Sequence, residues 1–172
     1  MMFASEASFS DQTDIRLQGL FKDLKAASLD VDALGAERKI WKIWTTHKNR
    51  HITSLMSQGL KALDNNNLEK GLGLFNNIID MDPNFAEAWN KRATIYFLMR
   101  NFDKSMQDIR QTLILEPRHF GAISGLGLIF NALGQPENAL SAFRRVREIY
   151  PLSRSATDFI KRLNKRDPGL RL

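Results

Sequence analysis

The chain has 172 residues, 43% of them hydrophobic and 26% charged, with a net charge of +6. That suits one ordinary domain or one short repeat array, with enough apolar residues to bury a core. There is no cysteine, which excludes disulfides, iron–sulfur clusters, zinc ribbons and cysteine nucleophiles, and no apolar run approaches the roughly 20 residues of a membrane helix.

Residues 1–11 begin Met1-Met2-Phe3-Ala4-Ser5-Glu6-Ala7. They lack the basic start and apolar stretch of a signal peptide, although Ser5-Glu6-Ala7 carries small residues of the kind a signal peptidase prefers. The segment is expected to be disordered. Localisation stays open: cytoplasmic if Met1 is the true start, periplasmic or exported if a signal peptide has been removed.

Residues 12–51 are expected to form a helical hairpin. Leu17, Leu20, Phe21 and Leu24 are spaced i, i+3, i+4, i+7, the pattern of an amphipathic helix. A second helix, from about Asp32 to Thr46, presents Leu34, Ile40, Trp41, Ile43 and Trp44. Such a hairpin suits the apolar end of a repeat array, and two copies could pair through it. The polar stretch Thr45–His51 follows. His47 and His51 are four apart, like a metal pair, but no Glu lies between them and no third ligand is in view. Both are read as solvent-exposed loop residues.

From Ile52 a repeat sets in. Pro83, Pro117 and Pro151 lie 34 residues apart, and the residues between them keep phase. With proline at position 32, the repeats are 52–85, 86–119 and 120–153. Position 4 reads Leu55, Trp89, Ile123; position 8 Gly59, Ala93, Gly127; position 11 Ala62, Tyr96, Phe130; position 20 Gly71, Ser105, Ala139; position 24 Phe75, Ile109, Phe143. Large and small apolar residues thus recur at fixed offsets on one helical face, so two helices can approach closely and the aromatics fill between pairs. Near position 15, Asn65-Asn66-Asn67, Arg100-Asn101 and Gly134-Gln135 supply residues that tolerate a left-handed backbone. Each proline stops the second helix. A last helix over 154–166, capped by Ser153 and carrying Phe159, Ile160 and Leu163, reads as a solubilising cap, with a disordered tail over 167–172.

This pattern resembles the tetratricopeptide-repeat (TPR) family, W-x2-L-G-x2-Y…A-x3-F…P at the same period. Trp89 and Tyr96 carry it in the second repeat, and Gly127, Ala139, Phe143 and Pro151 in the third. The resemblance implies an all-α fold, a right-handed superhelix of three antiparallel hairpins. It departs at position 27, usually Ala, where Ile78, Thr112 and Val146 imply looser packing between hairpins. The layout, with Glu37–Trp44 ahead of the repeats and Arg118–Ala122 within them, is similar to small bacterial TPR proteins with a Trp-rich N-terminal hairpin.

In TPR proteins the first helices of the repeats line a concave groove. The matching positions include Met56 and Leu60; Glu87, Asn90, Lys91, Thr94 and Phe97; and Gly121, Ser124, Gly125, Leu128 and Asn131. Apolar pockets beside amides suit an extended or helical peptide. Self-covering by the N-terminal hairpin is expected, if anywhere, at Met56 and Leu60, which are close to it in sequence. Gly121 and Gly125 offer bare backbone for a close approach. TPR co-chaperones that grip a chaperone's C-terminal carboxylate use Lys and Asn, then Asn, then Lys and Arg. Here Met56 and Leu60, Lys91, and Gly121 and Gly125 stand at those positions, so that clamp is absent.

The function implied is a non-catalytic scaffold for a protein or peptide partner. His119 sits alone in a turn, Asp80 and Asp82 bracket a helix end, and no triad or acid pair is present; no cofactor or metal is implied. A secretion-type TPR chaperone for one client is the alternative by layout, although a basic chain is not expected of that class. Residues 120–172 hold 9 basic and 4 acidic residues, including Arg144, Arg145, Arg147, Arg154, Lys161, Arg162, Lys165 and Arg166. They could meet nucleic acid or an anionic surface, but no aromatics interleave as a base-stacking platform requires.

Overall fold

The computed structural model describes residues 11–166, the side chain of Arg166 excepted, and the described residues form nine α-helices and no strand. An N-terminal hairpin, α1 (Arg16–Ala26) and α2 (Asp30–Trp44), comes first. Three hairpins follow: α3 (Arg50–Asp64) with α4 (Leu68–Met81), α5 (Ala86–Leu98) with α6 (Phe102–Leu115), and α7 (Phe120–Ala132) with α8 (Pro136–Ile149). The last helix is α9 (Arg154–Arg166). The disorder expected at the two ends concerns residues 1–10 and 167–172, which lie outside the described residues. Asp11, assigned to the same end, belongs to the turn before α1, where its carboxylate accepts the Thr13 N–H at 2.7 Å.

Each repeat hairpin reverses through one left-handed residue: Asn66 (φ 53°), Arg100 (φ 59°) and Gly134 (φ 70°). The next N–H reaches back to close the first helix, Asn67 to Ala62 O, Asn101 to Tyr96 O and Gln135 to Phe130 O, each at 2.8 Å. This satisfies carbonyls that the helix end would otherwise strand. Asn67 and Asn101 then cap the second helices by accepting from Lys70 and Lys104 N–H. In the third repeat Pro136 opens α8, where a missing N–H costs nothing.

Small residues bring the paired helices together. A Cβ added to Gly127 would sit 2.8 Å from the Phe143 ring, and one added to Gly59 would sit 2.6 Å from Phe75 Cζ. In the second repeat, Ser105 Oγ donates to Ala93 O at 2.8 Å. The larger residues at position 27 open no gap, since Ile78, Thr112 and Val146 are all at most 1% exposed. Thr112 fits there because its hydroxyl donates to Asp108 O of its own helix. Between the first and second repeats, Arg92 grips Asp108 with two N–H groups and reaches Asn76 with a third.

The N-terminal hairpin does not stack as a further repeat. It lies across the turns that join the repeats. On the way out, Gln12 bonds Asn84 O and Ala86 N–H at the first turn, and Phe21 lies under the Arg118 guanidinium at the second. At the tip, Asp30 pairs with Arg154 and Glu37 accepts the Tyr150 hydroxyl, both at the third. On the way back, Trp41 and Trp44 pack on His119 and Phe120, and His47 meets Asp82 and Phe85. Six of its large side chains, Leu17, Phe21, Leu24, Ile40, Ile43 and Trp44, are at most 7% exposed. At 1.5–3 kcal/mol each, their burial is worth roughly 9–18 kcal/mol as an upper bound. That is comparable to the whole stability of a domain, so the hairpin is a fixed part of the fold.

Candidate functional site

The groove predicted along α3, α5 and α7 divides into a covered end and an open remainder. At the covered end, α2 lies against the N-terminal turns of α5 and α7. A Cβ on Gly121 would stand 2.7 Å from Trp41 Cη2. The close approach expected at Gly121 is therefore made by the chain's own tryptophan. Covering falls there and at Lys91, whose ammonium lies 4.8 Å above the Trp41 ring, rather than at Met56 and Leu60.

A buried polar cluster sits beneath the tryptophans. Ala122 N–H donates to His119 Nδ1 at 3.1 Å, which caps α7 and leaves the ring hydrogen on Nε2. Nε2 then donates to Glu87 Oε2 at 2.8 Å. Asn90 donates to the same oxygen at 3.0 Å, and Lys91 Nζ lies 3.0 Å from Glu87 Oε1. The His119 ring stacks on Trp44 at 4.0 Å and 11°. Burial acts to raise the Glu87 pKa, but the Lys91 charge and the His119 bond outweigh it and hold the carboxyl below its usual range. At the third turn, burial and then the Glu37 charge push the Tyr150 hydroxyl up to about 12, so it remains a donor.

The open remainder is a cleft of about 130 Å³ between α5 and α7. Asn90, Thr94 and Phe97 line one wall, Gly121, Ser124, Gly125 and Leu128 the other, with Ser105 and Ile109 of α6 beneath. Seven of the twelve predicted groove residues therefore meet here. At the far ends of α5 and α7, Leu98 and Leu133 are 48% and 43% exposed.

Five predicted residues, Met56, Leu60, Glu87, Lys91 and Asn131, do not line the cleft. Met56 is buried in the seam between the first two repeats with Ile52, Phe75 and Phe85, and Leu60 packs beside it. Glu87 is buried as well, bonded to His119 beneath Trp44, and Asn90, although in the cleft wall, is only 6% exposed. Lys91 is tied down and Asn131 is half-buried; within the cleft wall, Gly125 lets Ile109 of α6 approach, with Cδ1 3.1 Å from where a Cβ would be. His119 is neither alone nor exposed, being 0% accessible and paired with Glu87. His47 is also buried, with Asp82 Oδ2 3.0 Å from Nε2, whereas His51 is exposed as expected. Glu87–His119 and His47–Asp82 are separated by 32 and 35 residues. In a repeat array this is the distance of lateral neighbours, and searching for opposite partners about one period apart could have found both. Several basic residues of the C-terminal third are engaged: Arg145 donates to Pro117 O, Arg154 pairs with Asp30, and Arg162 stacks on Phe159.

Comparison with known proteins agrees with this architecture. The family model described as tetratricopeptide repeat matches residues 74–107. A TPR repeat-containing protein of the bacterium Rhizobium etli is 35% identical over 156 residues, covering 91% of this chain and 76% of the relative. The small glutamine-rich tetratricopeptide repeat-containing protein 2 of Saccharomyces cerevisiae is 30% identical over 108 residues, 63% of this chain and 31% of that protein. Among solved structures, the first TPR of Spaghetti (RPAP3) bound to the HSP90 peptide SRMEEVD superposes with a TM-score of 0.63 at 23% identity, over 67% of this chain and 91% of that one. MamA superposes with a TM-score of 0.62 at 19% identity, over 91% and 78%. With a relative 35% identical over 91% of its length, this chain belongs to the tetratricopeptide-repeat family.

Proposed function

We propose that the protein is a non-catalytic scaffold that holds an uncharged, apolar-rich segment of a partner protein in the open part of its groove. The observation that carries this is the cleft between α5 and α7, where Thr94 and Phe97 on one wall stand opposite Ser124 and Leu128 on the other, over a floor of Ser105 and Ile109. Apolar contacts supply affinity, and the hydroxyls, which donate to Asn90 O and Phe120 O of their own helices, are left to accept a hydrogen bond from a peptide N–H. The titratable groups nearby are engaged in one another, since Glu87 is shared by His119, Asn90 and Lys91.

The partner differs from that of the RPAP3 domain, whose peptide SRMEEVD is acidic at its end. Met56 is buried here, Lys91 is neutralised by Glu87, and Gly121 lies under Trp41. An acidic tail finds no row of free cations in the cleft.

The test compares partners captured from native cells by the wild-type chain, by T94R/L128R, and by I114R. Ile114 is 66% exposed on α6, outside the cleft. The expected result is a partner captured by wild type and I114R and lost from T94R/L128R, with helicity unchanged by circular dichroism. Equal capture by wild type and T94R/L128R would move the interface off the groove.

A further inference from the structure

The N-terminal hairpin has a second face that the groove does not use. Its inner stripe, with Leu17, Phe21 and Leu24, is buried against the repeats. On the outer side Gly19, Leu20 and Asp23 of α1 face Val31, Gly35 and Lys39 of α2 across two contiguous hollows. They measure about 640 and 470 Å³ and share Leu20, Asp23 and Lys39. Neither Gly19 nor Gly35 has any atom within 4 Å of where a Cβ would lie, so the floor is open to a third element. Val31 stands 65% exposed at one end. A trough between two antiparallel helices is the seat of a third helix.

Charge selects the occupant. Toward the tip the rim carries Asp23 and Asp32; toward the base it carries Lys39 and Lys42. Among the described residues none of these four forms an ion pair within the chain, whereas the neighbouring Arg16 and Asp30 are already paired with Asp14 and Arg154. Asp32 and Lys42 are about 15 Å apart along α2 at 1.5 Å per residue. A surface acidic at one end and basic at the other is its own complement after a half-turn, which is what an isologous twofold interface requires.

We propose that two copies of this chain pair through the outer faces of their N-terminal hairpins, antiparallel. Asp23 and Asp32 of each then meet Lys39 and Lys42 of the other, and Leu20 and Val31 are covered. The concave grooves lie on the opposite side of each hairpin and stay open, giving a bivalent scaffold.

The experiment is sedimentation of the full chain across the micromolar range. A dimer is expected for the wild type. K39E/K42E alone and D23K/D32K alone should each weaken association by about tenfold or more, because like charges then face each other. Mixing the two variants should restore a dimer, since every contact across the pair becomes opposite in sign. Gly35→Arg fills the trough without touching the fold and should also give a monomer. A wild-type chain that stays monomeric overturns the proposal and leaves the trough to a helix of another protein. A dimer indifferent to all three variants, or not restored on mixing, overturns this pairing.

Discussion

Replacing His119 with alanine removes a helix cap, a hydrogen bond to a carboxylate and a ring stack at once, along with a weaker edge contact to Trp41. The ring nitrogen that caps α7 is lost, a term of about 1 kcal/mol. The bond to ionised Glu87 is lost, worth about 1.5–3 kcal/mol. So is the stack on Trp44, worth about 0.5–1.5 kcal/mol. Glu87 keeps Lys91 and Asn90, so no bare charge is left behind. The expected destabilisation is roughly 3–6 kcal/mol, which at a urea slope of about 2 kcal/mol per molar moves the midpoint down by about 1.5–3 M. Urea unfolding followed by far-ultraviolet circular dichroism and tryptophan emission measures it. The double variant H119A/W44A should lose less than the two single losses combined, because both remove the same stack. A loss under about 1 kcal/mol, or losses that simply add, would refute the view that this side chain joins α5, α7 and the hairpin.

Glycines on one array should respond in opposite directions. Gly73→Ala, in α4 with nothing near its missing Cβ, should raise stability by about 0.5–1 kcal/mol, while Gly127→Ala, facing Phe143, should lower it by about 1–3 kcal/mol; thermal melts showing the same sign for both would contradict the packing. Arg100→Gly should stabilise by about 0.5–1 kcal/mol by relieving a left-handed arginine, and Gly134→Ala should cost a similar amount. For pH, the Glu87 carboxyl sits below its ordinary value of 4.5 in the folded chain. Its contribution is therefore complete above the unfolded value and is lost as pH falls through the lowered folded value. Urea midpoints between neutral and acidic pH should fall less steeply for E87Q than for wild type, and parallel curves would show that Glu87 does not set the slope.

The repeat could be read from residues because its signals are local and periodic. Asn66, Arg100 and Gly134 stand at the reversals and Gly59 and Gly127 at the close approaches, each dictated by backbone geometry within one hairpin. The seat of the N-terminal hairpin could not be read in this way. Its tryptophans follow an ordinary helical stripe, and nothing in a stripe names the surface it will meet. Gly121 was visible as an opening but not as the opening for Trp41, 80 residues earlier in the chain. The cleft residues Thr94, Phe97, Ser124 and Leu128 follow from helix phase together with the resemblance to TPR proteins. The same reasoning placed Met56 and Glu87 in the groove, because phase does not say which part of a face another element will roof.

A strut that touches all three turns also fixes how many turns there can be. α2 has 15 residues, so it is about 22 Å long, close to two steps of about 10 Å between neighbouring hairpins. Inserting a fourth repeat would move Tyr150 and Arg154 out of reach of Glu37 and Asp30, and deleting one would leave the tip of the hairpin without a seat. Simple solenoids lengthen or shorten by whole units because each unit knows only its neighbours. Here one end of the chain measures the other, which sets the length of the array.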